Sequence, residues 1–306
     1  MKIRIGTRKS PLARWQATTY KSRLSDEGYD AELIEIESTG DKNLTQPLYS
    51  FGITGVFTKE LDIALLENNI DIAVHSAKDI PTTPAKGLMI SSVLKRGAHS
   101  DILLLKNNAI DLYQSNLVIA TSSIRRRAQW LERFPHHQME PIRGNVQTRL
   151  QKFADNEKVD AVIFAKAGLE RMELLPEYYL ELDWMLPAPS QGIVAAVCRE
   201  EDEQIKKILA EVSDVKTQRI ASIEREFMRT LMGGCSVPIS CLAIENDTGF
   251  LFKGAIHATD GSRSYKIEKQ YHKDIEHVGM QAAKDLLNQD GCRALLDEIR
   301  THTHQS

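Results

Sequence analysis

No stretch of the 306-residue chain approaches the roughly 20 consecutive apolar residues that span a bilayer, so no membrane segment is expected. The opening MKIRIGTRKSPLARW carries charges but no apolar run of the length a secretory signal needs, which predicts a cytoplasmic location. Cysteine is scarce. Cys198, Cys235, Cys241 and Cys292 have neither paired C-x-x-C spacing nor the density of a disulfide scaffold, and all four are read as reduced. Neither a Walker A loop nor a G-x-G-x-x-G turn occurs, which removes the common backbone cradles for nucleotide phosphates. A formal net charge of -3 excludes a global attraction to nucleic acid or to an anionic membrane, so any basic site must be local. Metal binding has little support, because His136 and His137 lack a third ligand at suitable spacing.

The composition that remains is that of a globular protein, with 42% hydrophobic and 26% charged residues. Its length predicts two domains or three small ones. Through the first 210 residues, strand candidates alternate with amphipathic helices, the pattern of α/β units with largely parallel pairing. Ile3 to Gly6 reads as a strand. Ser10 and Pro11 then supply an N-cap and a first-turn proline for a helix ending near Gly28. A helix from about Val56 to Asn68 places Phe57, Leu61, Ala64 and Leu65 on one face, and the strand DIAVH follows it. That strand runs into Ser76-Ala77-Lys78-Asp79-Ile80-Pro81, where the proline stops regular structure and leaves Lys78 and Asp79 on a loop at the strand's carboxyl end. Open α/β sheets place ligands on such loops.

Residues 117–134 form a second strand-loop-helix unit, and RGNVQTRLQKF a further helix with Val146, Leu150 and Phe153 on one face. DIAVHSAKDIP at residue 71 is echoed by DAVIFAKAGLE at residue 160, which predicts two similar lobes. Beyond Val215 the texture changes. A helix carrying Ile220, Ile223, Phe227 and Leu231 ends at Gly233-Gly234, then come three strand candidates with turns at NDTG and ATDGS, then one or two helices. The resulting division is 1–95 with 190–214, 96–189, and 215–306, the last a small α+β domain with a mobile polar tail, THTHQS.

Arg125, Arg126 and Arg127 fall in a helix's first turn, where the macrodipole disfavours cations by about 0.3 to 1 kcal/mol each. A solvated charge run is one explanation. An anion site is the other, since helix N-termini and arginine forks both bind carboxylates, and Arg8, Arg143 and Arg149 also lie at or just after strand ends. Asp79 beside Lys78 reads either as a surface ion pair or, from its place at a strand's carboxyl end, as a functional carboxylate. Cys235 reads either as a small buried hydrophobe or, after two glycines, as a thiol presented on a sharp loop; Cys198 and Cys241 sit in strand candidates and suit the former.

IGTRKSPLARWQ, KELDIALLENNIDIAVHSAKDIP, ATSSIRRRAQ, RGNVQTRL, PAPSQG and GGCSVPI together resemble the hydroxymethylbilane synthase (porphobilinogen deaminase) family, in order and over nearly the whole chain. The resemblance implies three domains: two similar α/β lobes like those of periplasmic binding proteins, and a small C-terminal α+β domain bearing a cysteine loop. It implies a transferase that joins four porphobilinogen molecules into hydroxymethylbilane for heme biosynthesis, with release of ammonia. Cys235 would hold a dipyrromethane cofactor by a thioether. Asp79 would be catalytic, helping expel ammonia and stabilising cationic intermediates. The cofactor's other contacts would be Lys78, Asp79, Ser123, Arg125 and Arg126, and the substrate's acetate and propionate groups would meet Arg8, Ser10, Gln16, Arg143, Arg149, Arg171 and Gln191. A monomer that hands its product to uroporphyrinogen III synthase is the associated expectation.

The sequence departs from the family at three places. Thr54 in Gly52-Ile53-Thr54-Gly55-Val56-Phe57 replaces a lysine of the lid expected around residues 43–58; Ala77 replaces a methionine in His75-Ser76-Ala77-Lys78-Asp79; and Ser190-Gln191-Gly192 stands for G-Q-G. Two other readings compete: a non-enzymatic binding protein for small anions on a two-lobed fold, and a phosphoribosyl-type transferase, which would need a phosphate loop that the sequence lacks.

Overall fold

The computed structural model describes residues 1–37, 58–107, 110–113, 116–231 and 237–305, with the side chains of 302–305 excepted. The lid around 43–58, except Thr58, and Cys235 therefore lie outside the described residues. The chain divides into two compact units, Met1–Gly97 with Ser190–Ala221 and Ala98–Pro189 with Ser222–Ser306.

The first unit is built on β1 (Ile3–Arg8), β2 (Ala31–Ile36), β3 (Ile72–Ser76), β4 (Leu88–Val93) and β10 (Val194–Arg199), ordered β2-β1-β3-β10-β4. Helix α1 (Pro11–Asp26) starts where expected, with Ser10 accepting from the Ala13 amide. It covers one sheet face together with α6 (Glu203–Val212), burying Ala17, Tyr20 and Leu24 against Ile3, Ile5, Ile72 and Val74. Helix α2 (Lys59–Leu66) is shorter than its sequence pattern and buries Leu61, Ala64 and Leu65 on the other face against Ala73 and Val197. Burial on both faces explains why β3 and β10 read as continuous apolar runs.

The second unit repeats this plan. Its sheet of β5 (Asp101–Leu105), β6 (Val118–Ala120), β7 (Gln138–Glu140), β8 (Ala161–Ala165) and β9 (Leu180–Glu181) is ordered β7-β6-β8-β5-β9. Helices α3 (Ile124–Arg133), α4 (Val146–Asp155) and the short α5 (Lys166–Glu170) follow β6, β7 and β8. The echo noted in the sequence is a structural equivalence, because β3 and β8 both stand third. Asp71 Oδ2 accepts from the Arg4 amide at 2.8 Å and Asp160 Oδ2 accepts from the Val118 amide at 2.8 Å.

Pairing is not largely parallel as the sequence suggested. In each sheet the first three strands are parallel, but β10 runs antiparallel to β3 and β4, and β5 antiparallel to β8 and β9. Neither β10 nor β5 is reached through a β-helix-β crossover from a neighbouring strand of its own sheet, so the right-handed parallel rule does not govern them.

Helix α7 (Val215–Thr230) contains the division between the units. Strands β11 (Ile239–Asn246), β12 (Gly249–His257) and β13 (Ser264–His272) form an antiparallel meander with turns at the two expected places. Helices α8 (Val278–Leu287) and α9 (Cys292–Gln305) complete the chain, with α9 extending into the polar tail as far as Gln305. No helix among the described residues is long and apolar enough to cross a membrane.

Candidate active site

In the first unit the candidate residues gather at the carboxyl ends of the neighbouring parallel strands β1 and β3. Arg8 is the last residue of β1, and Lys78 and Asp79 form a single 3-10 turn, Ala77–Asp79, directly after β3. The turn is short because Ile80 resumes extended backbone ahead of Pro81. Gln16, 2% exposed on α1, donates to Ser76 Oγ at 2.7 Å and ties the helix to the end of β3. Lys78 Nζ donates at 3.2 Å to Oε1 of the fully buried Gln191, whose backbone carbonyl accepts from Arg96 Nε at 2.9 Å. Lys78 is thereby directed while Asp79, half-buried beside it, has no hydrogen-bond or ion-pair partner among the described residues. His75 is a residue the sequence reading passed over. Burial, helped by the neighbouring Arg8 charge, pulls its imidazole down to about 3, so it is neutral and adds no cation to the site.

In the second unit the basic residues again follow the parallel strands. Ser123 caps α3 by accepting from the Arg126 amide. Arg125 and Arg126 are buried, while Arg127 is exposed and fits a solvated position. What holds two guanidinium groups in a helix's first turn is Asp101, fully buried at the start of β5: Arg125 Nη1 reaches Oδ2 at 3.2 Å and Arg126 Nη2 reaches Oδ1 at 2.8 Å. The Leu186 and Ile163 carbonyls accept further bonds from Arg125 and Arg126. One carboxylate faces two guanidinium charges, leaving an excess positive charge in a desolvated place. Burial pulls the Arg125 group below its ordinary value against the attraction of Asp101. Nε of Arg126 is buried with no hydrogen-bond partner among the described residues.

Arg143 lies in the loop after β7, where its carbonyl accepts from Lys152. Arg149, on α4, stacks with its guanidinium carbon 4.8 Å from the Phe164 ring centre on β8. Arg171 follows α5, its guanidinium pulled down to about 10 by burial. The described positions thus fall into two sets: Arg8, Ser10, Gln16, Lys78, Asp79 and Gln191 in the first unit, and Ser123, Arg125, Arg126, Arg143, Arg149 and Arg171 in the second.

Asp101 and Gln129 were missed by sequence reasoning. Asp101 stands at the head of the apolar strand Asp101–Leu105, and only the charge balance of Arg125 and Arg126 could have called for it. Gln129, 4% exposed, stands six residues after its N-cap as Gln16 does, and it binds the Leu186 backbone through both its amide nitrogen and oxygen. His137 is a core residue: its ring stacks on Phe134 and accepts from Trp130 Nε1 at 3.1 Å.

Residues 3–207 match the family model described as porphobilinogen deaminase, dipyromethane cofactor binding domain, and residues 219–288 match porphobilinogen deaminase, C-terminal domain. The porphobilinogen deaminase of Cytophaga hutchinsonii is 39% identical over 305 residues, covering 97% of both chains. The probable porphobilinogen deaminase of Methanocaldococcus jannaschii is 45% identical, covering 82% of this chain and 86% of that one. The Bacillus velezensis porphobilinogen deaminase is 38% identical, covering 99% and 98%.

Proposed function

The chain belongs to the porphobilinogen deaminase family, and from that premise we propose that Asp79 is its catalytic carboxylate and Cys235 the thiol that carries its dipyrromethane cofactor. The activity is that of a hydroxymethylbilane synthase, joining four porphobilinogen molecules with release of ammonia. The observation that carries the assignment of Asp79 is its lack of any partner among the described residues, on a turn whose neighbouring lysine is held by Gln191.

The donor set fits a group bearing carboxylates. Lys78, Ser123, Arg125 and Arg126 are the residues that would hold the cofactor with Cys235, and the orphaned Nε of Arg126 is a buried donor that a carboxylate oxygen would satisfy. When bound, the dipyrromethane supplies the pyrrole end to which the first substrate unit is joined. Arg8, Arg143, Arg149 and Arg171 bind the substrate's acetate and propionate, with Ser10, Gln16 and Gln191 fixing the surrounding strand ends.

Asp79 acts on the reacting aminomethyl carbon. As the carbon–nitrogen bond breaks and the electron pair leaves with ammonia, positive charge develops on the pyrrole, and a fixed carboxylate lowers the energy of that charge. Asp79 then holds the proton lost from the ring carbon that forms the new bond. Residues 215–306 form a domain of their own, and the enzyme acts as a monomer in the cytoplasm and passes its product to uroporphyrinogen III synthase.

Incubation of the purified protein with porphobilinogen tests the function. The product should cyclise and oxidise to uroporphyrin I with ammonia released; ammonia without any tetrapyrrole would leave deamination but not chain assembly.

A further inference from the structure

Helix α3 is held at both ends. Arg125 and Arg126 occupy its first turn, while Glu132 in its last turn reaches the β12–β13 hairpin. Glu132 Oε2 meets Nε2 of His257 at 3.1 Å, and Oε1 accepts from Ser264 Oγ at 2.6 Å and Lys266 Nζ at 2.7 Å. His257 is 1% exposed and its Nδ1 has no partner among the described residues, so the proton belongs on Nε2, where it is bonded. The Lys266 link alone would contribute little, since solvent screens it. The hairpin turn adds a backbone contact: Gly261 has φ +76°, and a side-chain carbon there would lie 2.5 Å from the Glu132 nitrogen and 2.8 Å from the Ala128 carbonyl oxygen.

A second attachment lies near the other end of the helix. Leu186 accepts from Arg125 and Gln129, and the next residue, Pro187, accepts from the Cys241 amide of β11 at 3.2 Å. Two separated attachments fix the orientation of the three-stranded sheet on α3, whereas either alone would leave a pivot. Strand β11 begins at Ile239, four positions after Cys235.

We propose that Glu132 is a positioning residue for the reaction: by gripping His257, Ser264 and Lys266 it holds the sheet that follows Cys235 in fixed relation to Arg125 and Arg126. This rests on the reading of Cys235, Arg125 and Arg126 as cofactor-holding. Cofactor attachment through one thiol leaves a swinging arm, and the register between that thiol and the guanidinium groups decides where each new pyrrole is presented. Glu132 touches neither cofactor nor substrate in this account and acts only through the sheet.

The test uses the loaded enzyme. Intact mass gives the fraction carrying the two-pyrrole adduct, and turnover is expressed per loaded molecule. Glu132→Ala should lower kcat about tenfold with KM changed less than about twofold, and mass spectra after brief exposure to porphobilinogen should shift toward complexes with fewer added units. A residue that only stabilised the fold would lower the melting temperature and leave kcat per loaded molecule and the mass ladder unchanged; that result would overturn the proposal. Should Glu132→Ala fail to fold, Ser264→Ala combined with Lys266→Ala, which keeps the His257 contact, should lower kcat about threefold in the same manner, and an unchanged kcat and ladder would again overturn it. A wild-type protein without adduct would defeat the cofactor reading and this proposal together. A loaded wild type with indifferent variants would defeat this proposal alone.

Discussion

The two five-stranded sheets have one strand plan and two chemistries. Ser10 and Ser123 cap α1 and α3 in the same way, each accepting at 3.4 Å from the amide three residues on, and Gln16 and Gln129 follow six residues after those caps. Counted from the cap, Leu12 and Ala13 of the first unit stand where the second has Arg125 and Arg126. Opposite them, Val194 pairs with Ser76 as Asp101 pairs with Ala165. The second unit therefore replaces an apolar trio by a buried ionic one at the same place in the fold. Conversely, the turn after β3 carries Asp79 where the turn after β8 carries Gly168. The scaffold supplies positions and a few side chains supply function, so strand order alone does not identify the chemistry.

Exchanging residues between matching positions tests this most severely. Asp79→Asn should lower turnover by about 10²- to 10³-fold with the cofactor still attached, the loss expected when a charge facing a developing cation is removed. Gly168→Ala, at the matching place, should leave turnover within about twofold, because the added carbon would meet only Val146 Cγ2 at 3.9 Å. Full activity in Asp79→Asn would detach the chemistry from this turn.

Next in size is the ionic trio. Asp101→Asn leaves two buried guanidinium groups without a counter-charge and should cost about 3 to 5 kcal/mol in denaturant unfolding. The triple exchange Asp101→Val, Arg125→Leu, Arg126→Ala imports the first unit's residues and should recover most of that loss, since apolar replacements of buried ion groups are often neutral or stabilising. The same protein should fail to hold cofactor. Recovery of both stability and cofactor would make the trio a purely structural element.

Arg149→Leu removes a charge but leaves an apolar side chain over Phe164, so the protein should fold and stall with fewer added pyrroles than wild type. A normal ladder at normal rate would return Arg149 to a solvated face.

Smaller still is a pH effect. Hydrogen bonding to His257, opposed by partial burial and reinforced by Lys266 and Ser264, lowers the Glu132 carboxyl from 4.5 to about 2. Its folded pKa is below its unfolded one, so its contribution is full above about pH 4.5 and is lost as pH falls toward 2. Acid unfolding of Glu132→Gln should show a shallower slope in that window, and an identical slope would remove Glu132 from the pH dependence.

Much of this was legible in the sequence because it depends on local pattern. The cap at Ser10, the apolar face of Leu61, Ala64 and Leu65, the meander turns and the β3–β8 echo are set by neighbours within a few residues. The antiparallel entry of β5 and β10 was not, because it depends on which sheet a distant strand joins. Asp101 was hidden for the same reason: it stands 24 residues from Arg125, and nothing local to either distinguishes a buried pair from two surface charges. The Glu132 grip spans 125 residues to His257 and left no local signature.

The central claim is that this protein builds its product on a primer attached to Cys235. Intact mass of the wild type and of Cys235→Ser, measured side by side, tests it most directly. The wild type should carry two pyrrole units and Cys235→Ser should weigh its bare sequence mass, because Cys198, Cys241 and Cys292 are all buried. An adduct retained by Cys235→Ser, or none on the wild type, would contradict the account.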